Sequence, residues 1–328
     1  MNATITAIGS YVPEKVLTNF DLEKMVETSD EWIRTRTGIQ ERHIVDDDEA
    51  TSDMAIQATQ QLLDEYDVDP ATIDCIIIAT VTPDMFFPST ACLVQEAVGA
   101  ENAWGFDLSG ACSGFVYGIE TATRFIESGQ YKKVLLVGSD TMSSITDYSD
   151  RSTCILFGDA ASAVLLEPTE DESLGILDSL VYADGSGAKY LEMPGGGSRH
   201  PATHETVDKG YHYLKQDGRA VFKFAVNGMA GVATDILERN NLSGEDVAFF
   251  IPHQANKRII DAAARKMGLR EDQVVINIDR YANTTAATIP LGLHEVVRDG
   301  RLTHGDLVVF ATFGAGFTWG ATLLRWGT

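Results

Sequence analysis

Apolar positions along the chain follow two spacings, and the alternation between them predicts its elements. Residues 2–8 (NATITAI) alternate like a half-buried strand. Ala55, Ala58, Leu62, Leu63 and Tyr66 share one helical face, so a helix is expected from about Ser52. Ile73 to Thr80 (IDCIIIAT) and residues 133–139 (KVLLVGS) are unbroken apolar runs between turns, the mark of strands covered on both faces. Residues 90–98 read as helical. A Thr28-x-x-Glu31 pattern predicts a capping box ahead of Trp32-Ile33-Arg34-Thr35-Arg36. Ile155 to Glu167 reads as a strand interrupted at Gly158-Asp159. Residues 168–217 read as one or two strands around a flexible Pro194-Gly-Gly-Gly-Ser198 loop, and Gly218 to about Asn240 as a long amphipathic helix. Alternating strand and helix implies an α/β fold with a largely parallel sheet.

The pattern then returns. VAFFIPHQ (247–254) matches IDCIIIAT as a buried strand ending in a polar turn. INIDRYANTT (276–285) matches GFDLSGACSG (105–114) as a short strand, a turn and a helix start, which sets Asn283 opposite Cys112. A glycine follows each 17 residues on, at Gly129 and Gly300. This is the signature of an internal duplication, with one half over residues 1–170 and the other over 171–328. Doubly wound units gather strand ends and helix starts at one face, where α/β sites lie.

Candidate chemistry falls on that face. Cys112 precedes apolar positions 115, 116, 119, 122, 125 and 126, so it is expected in the first turn of a buried helix. Unpaired amides and the helix dipole there stabilise an anion, which predicts a thiol lowered into the range of roughly 3.5–7.5. His253 leaves a buried strand at its carboxyl edge, and Asn283 precedes two threonines at a helix start. A thiolate takes an acyl group, while an imidazole Nε2–H and an amide NH₂ donate to a developing enolate oxygen. In FGAGFTWG (313–320), an amide at Gly314 or Gly316 is a candidate second oxyanion donor beside the Cys112 N–H. The run is not a dinucleotide fingerprint, because ATLLRW follows it rather than a helix.

Composition narrows the class. Of 328 residues, 44% are apolar and 22% charged, and acidic residues outnumber basic ones 48 to 25 for a net charge of −23. That balance excludes general nucleic-acid binding and fits either an ordinary acidic protein or life at high salt. No apolar run approaches a membrane span of about 20 residues. The N-terminus lacks the plan of a signal peptide, so a cytoplasmic protein is expected. Cys75, Cys92, Cys112 and Cys154 are too scattered for a disulfide framework or a zinc site, and no metal is expected. Against the acidic background, Lys257, Arg258, Arg265, Lys266 and Arg270 concentrate between 253 and 270 with Asp261 alone opposing them.

These motifs together resemble the β-ketoacyl-[acyl-carrier-protein] synthase III family of the thiolase superfamily. The resemblance spans essentially the whole chain and rests on SDEWIRTRTGIQERH (29–43), GACSGFVYG (110–118), PHQANKRI (252–259), NTTAATIP (283–290) and GAGFTWGA (314–321). It implies a thiolase-like duplicated fold in αβαβα layers and no cofactor beyond the coenzyme A thioester used as substrate. The implied reaction is a decarboxylative condensation of a short acyl-CoA primer with malonyl-acyl carrier protein, through acyl-Cys112. It places decarboxylation on His253 and Asn283 and the second oxyanion-hole amide on Gly316. Coenzyme A contacts fall on Trp32, Arg36 and Arg151. Phe87 matches a position that closes the acyl pocket from the partner of a homodimer, and a ring there suggests an acetyl primer. Lys223, Lys257, Arg258, Arg265 and Lys266 become the docking site for acidic acyl carrier protein. Arg219 and Gly158-Asp-Ala-Ala-Ser162 depart from the family pattern. A biosynthetic or degradative thiolase would carry a second cysteine near its C-terminus, and none follows Cys154. Papain-like proteases share the Cys, His, Asn order but not the βαβ pattern. Specialised condensing enzymes or acyltransferases of the same superfamily remain the alternative.

Overall fold

The two unbroken apolar runs form the middle of a five-stranded sheet. In the computed structural model, which describes residues 2–328, that sheet contains β1 (Asn2–Tyr11), β2 (Cys75–Ala79), β3 (Trp104–Leu108), β4 (Val134–Asp140) and β5 (Ala160–Thr169). Their order is β1-β5-β4-β2-β3, with β3 and β4 parallel to β2 and β5 antiparallel to both β4 and β1. Cys75 and Ile77 point into one core while Ile76 and Ile78 point into another, so the run has no polar face.

A second sheet holds β6 (Gly175–Ala183), β7 (Phe249–Pro252), β8 (Leu307–Gly314) and β9 (Thr318–Arg325) in the order β6-β9-β8-β7. Order and strand sense repeat those of β1-β5-β4-β2. The counterpart of β3 has shrunk to a single bridge between Phe250 and Val274. The strand expected in INID is instead a helical turn, Ile278–Tyr281.

Helices complete five layers. α1 (Asp30–Thr37) lies over the site. α2 (Thr51–Glu65) and α3 (Thr90–Val98) cover the outer face of the first sheet, and α5 (Gly218–Arg239) and α6 (Lys257–Met267) that of the second. Between the sheets run α4 (Gly114–Glu127) and α7 (Thr288–Arg298). Phe115, Val116 and Ile119 of α4 and Ile289, Leu293 and Val296 of α7 join both sheets in one core. Each such side chain stabilises the fold by about 1.5–3 kcal/mol on burial. By length and composition alone α5 is apolar enough to cross a membrane. Its Ala225, Met229, Ala233, Ile236 and Leu237 instead pack on the second sheet.

Three local expectations change. The cap of α1 is Ser29, whose hydroxyl accepts from the Trp32 N–H at 3.2 Å, while the Thr28 hydroxyl is buried without a partner. β5 begins at Ala160, not at Ile155, because the preceding segment is occupied with Asn283. Finally, Cys112 corresponds to Ala286 rather than to Asn283. Cys75 faces Val134 as Phe249 faces Val308, and Thr312 meets the Cys112 carbonyl as Gly138 meets that of Ala286, which sets the two halves 174 residues apart. At that spacing the left-handed Ala111 (φ 47°) matches Thr285 (φ 49°), and each opens a 3₁₀ turn running into α4 or α7. Helix α7 has 11 residues against 14 in α4, so the glycines that end them, Gly129 and Gly300, suggested a register three residues off.

Candidate active site

Cys112, the candidate nucleophile, sits on a sharp turn. Ala111 is held in the left-handed region, which costs a residue with a Cβ roughly 1–2 kcal/mol and aims Cys112 away from the strand before it. The second half clamps this turn. Thr312 donates its hydroxyl to the Cys112 carbonyl at 2.8 Å. Gly314 lies so close that a Cβ on it would stand 2.8 Å from the Cys112 Cβ, so no other residue fits there without movement.

His253 follows β7 directly, and its backbone N–H donates to Ala311 on β8 at 2.8 Å. The ring is buried. Nδ1 lies 2.7 Å from the Thr288 hydroxyl, and Nε2 has no partner. Asn283 is pinned by its backbone to the 156–158 segment: its N–H donates to Leu156 and its carbonyl accepts from Gly158. Its side-chain oxygen accepts from the Thr285 N–H at 2.9 Å, which commits the NH₂ end to the opposite direction, toward Cys112. Gln254 ties this loop down, donating to Val275 and Pro252 and accepting from the Asn277 and Ile278 amides.

Beneath them lies a fully buried carboxylate. Asp140 accepts from the hydroxyls of Thr80, Thr82 and Thr285 and from the Val81 N–H, with no cation beside it. Burial raises its pKa despite those donors. Burial first, then the Asp140 charge, push the Cys112 thiol up to about 12, against the lowering effect of its own N–H and of the Asn283 amide. That direction is opposite to the lowered thiol expected from a helix start: desolvation and the Asp140 charge outweigh the two hydrogen-bond donors, and the resting group is the thiol. Burial likewise pushes His253 down to about 3, leaving a neutral ring. Thr288, Thr285, Asp140 and Gln254 carried no sequence signal beyond their neighbours' motifs, because their roles depend on contacts between the halves.

Cys112, His253 and Asn283 share the floor of one cavity of about 570 Å³. Its walls are largely apolar, including Leu156, Phe157, Phe222 and Phe313. Trp32, Arg36, Arg219 and Arg258 ring its mouth. The Arg151 guanidinium stacks on Trp32 at 4.2 Å from the ring centroid, and that of Arg258 on Phe222 at 4.7 Å. Asn256 caps α6 through its side-chain oxygen and donates its NH₂ to the Arg36 carbonyl, joining the two rims.

Other expected residues lie elsewhere. Gly316 is absent from the cavity lining and backs onto Thr318, with φ at 138°, whereas Gly314 lines the cavity and packs against the Cys112 backbone and Cβ. Phe87 is 84% exposed on a loop outside its own chain's cavity. Lys223, Lys257, Arg265 and Lys266 are exposed beside the mouth on α5 and α6, with Lys257 paired to Asp261.

Comparison with known proteins agrees with this geometry. Residues 106–185 match the family model for 3-oxoacyl-[acyl-carrier-protein (ACP)] synthase III, and residues 237–326 match the model for its C-terminal part. The β-ketoacyl-[acyl-carrier-protein] synthase III of Koribacter versatilis is 56% identical over 325 residues, covering 99% of this chain and 98% of the relative. That of Chlorobium chlorochromatii is 56% identical over 328 residues, covering 99% and 100%. Among solved structures, the synthase III of Aquifex aeolicus superposes with a TM-score of 0.90 at 45% identity, covering 99% of this chain and 100% of that one. That of Thermus thermophilus gives 0.91 at 43% identity, covering 99% of each. The chain belongs to the β-ketoacyl-[acyl-carrier-protein] synthase III family, thiolase-fold condensing acyltransferases that initiate fatty acid synthesis.

Proposed function

We propose that the condensation runs in two half-reactions on the cavity floor, with a role for each residue. In the first, the Cys112 sulfur attacks an acyl-CoA thioester, and the thiol proton leaves with the released coenzyme A. In the second, malonyl-acyl carrier protein enters. Its carboxylate departs as CO₂, the bonding pair moves to the thioester oxygen, and His253 and Asn283 donate hydrogen bonds to that enolate. The carbanion then attacks the acyl carbonyl on Cys112, and the freed sulfur takes a proton from solvent. The Cys112 N–H, with an amide of the 314–316 turn, receives the oxyanion of the acyl carbonyl. The observation that carries this reading is that a buried thiol, imidazole and amide, drawn from both halves, share one floor below a cationic mouth.

Trp32, Arg36 and Arg151 suit a purine and phosphates, stacking on the one and pairing with the other. Lys223, Arg258, Arg265 and Lys266, with Lys257, form the basic surface for acidic acyl carrier protein in a chain of charge −23. β3 is the free edge of the first sheet, and its Trp104 is 45% exposed beside Phe106. An unpaired edge with exposed aromatic residues favours a homodimer built through β3, with Phe87 reaching the partner's acyl pocket. Four free thiols suit a reducing cytoplasm. Acetyl-CoA is the favoured primer. Intact-mass analysis after exposure to a panel of acyl-CoA primers tests the scheme: one acyl group on the wild type, fastest from acetyl-CoA, and none on Cys112→Ser. Acylation of Cys112→Ser would overturn it.

A further inference from the structure

Thr288 is the first residue of α7, and its hydroxyl stands between two acceptors. It lies 2.7 Å from His253 Nδ1 and 2.9 Å from the Thr285 carbonyl. A hydroxyl has one hydrogen to give. The Thr285 carbonyl already accepts the Thr288 backbone N–H, so it is satisfied whichever way the hydroxyl turns. The ring nitrogen is the nearer acceptor, and the structure gives it no other donor. On the far side of the ring, Nε2 is buried, unpartnered and part of a residue lining the cavity floor. A neutral imidazole carries one N–H, and the bond made at one nitrogen decides which nitrogen holds it.

We propose that Thr288 is a positioning residue for His253: its hydroxyl donates to Nδ1, confines the ring's one proton to Nε2, and presents a ready N–H to the thioester oxygen during decarboxylation. The proposal rests on the second half-reaction above. No proton is transferred at His253 in that step; Nε2 keeps its hydrogen while charge builds on the oxygen it faces. A donor arranged in advance spends nothing on reorientation when the charge appears. Burial keeps the ring neutral, so the tautomer rather than the charge is what Thr288 controls. The corresponding pair in the first half is Ala79 and Gly114, so close that a Cβ on Gly114 would stand 3.1 Å from that of Ala79, and neither has a polar side chain, so the device belongs to the second half alone.

Nitrogen-15 NMR of the intact protein labelled at histidine reads the tautomer without any reaction, with His253→Asn used to identify the resonance. The expected wild-type pattern is Nε2–H with a bare, hydrogen-bonded Nδ1; an Nδ1–H pattern overturns the proposal whatever the kinetics show. Thr288→Val should slow CO₂ release from malonyl-acyl carrier protein by about tenfold or more. It should leave Cys112 acylation within about threefold, and Thr288→Ser should restore decarboxylation. Equal loss in both half-reactions, or unchanged decarboxylation in Thr288→Val, also overturns it. Failure of the decarboxylation scheme itself would appear separately, as unchanged CO₂ release in His253→Ala.

Discussion

The turn at Ala111–Gly114 and the turn at Thr285–Thr288 share one backbone and carry opposite chemistry. Both open on a left-handed non-glycine residue, pass through a 3₁₀ turn and enter a helix buried between the sheets. In the first, Cys112 projects into the cavity and is held from the other half by Thr312 and Gly314. In the second, Ala286 is inert, and Gly138 stands in the place of Thr312, so close that a Cβ on it would meet the Ala286 carbonyl where Thr312 bonds that of Cys112. Its polar neighbours are supports instead: Thr285 joins Asn283 to Asp140, and Thr288 meets His253. Duplication supplied two equivalent turns, and divergence left one carrying the proposed nucleophile and the other bracing the proposed decarboxylating pair. Each turn is braced by the other half, so neither half contains a working site.

The two turns differ most at Cys112. Cys112→Ser should lower overall turnover by about 10³-fold or more, with no acyl-enzyme by intact mass. Gly314→Ala comes next: a methyl forced against Cys112 displaces the sulfur, and a shift of about 1 Å costs roughly 10²-fold in turnover. Thr285→Val acts on the other turn, removing the hydroxyl that Asp140 accepts from. It should cost about 1–3 kcal/mol of stability in denaturant titration and slow CO₂ release more than acylation. At the mouth, Arg151→Ala should raise KM for acyl-CoA a few-fold and leave kcat unchanged, since it touches neither turn.

Stability against pH sharpens the contrast. The folded-state pKa of His253, about 3, lies below its ordinary 6.5, so its contribution is complete above about pH 6.5 and fades as pH falls toward 3. His253→Gln should flatten that acid limb in melts between pH 6.5 and 4. The raised thiol of Cys112 acts in the opposite range, its contribution complete below about pH 9 and lost toward pH 12.

Much of this was legible in the chain. Buried strands announced themselves as IDCIIIAT and KVLLVGS because both faces are covered, and the repeat of strand then helix exposed the duplication. Cys112, His253 and Asn283 stood at strand ends and helix starts, where a doubly wound sheet puts its site. The register of the repeat was misread because α7 is a turn shorter than α4, which moves its closing glycine but not its start. The resting thiol was misread because a helix start is local and visible in sequence, whereas desolvation and the charge of Asp140 arrive through tertiary packing. Thr288 and Thr285 were hidden for the same reason: their partners, His253 and Asp140, lie 35 and 145 residues away.

The claim that one turn acylates while the other serves decarboxylation is tested most directly by timing both half-reactions in Asn283→Ala. Acyl-Cys112 should form at close to the wild-type rate, and CO₂ release from malonyl-acyl carrier protein should fall by about 10²-fold or more. Loss of acylation together with decarboxylation would contradict the division of labour between the two halves.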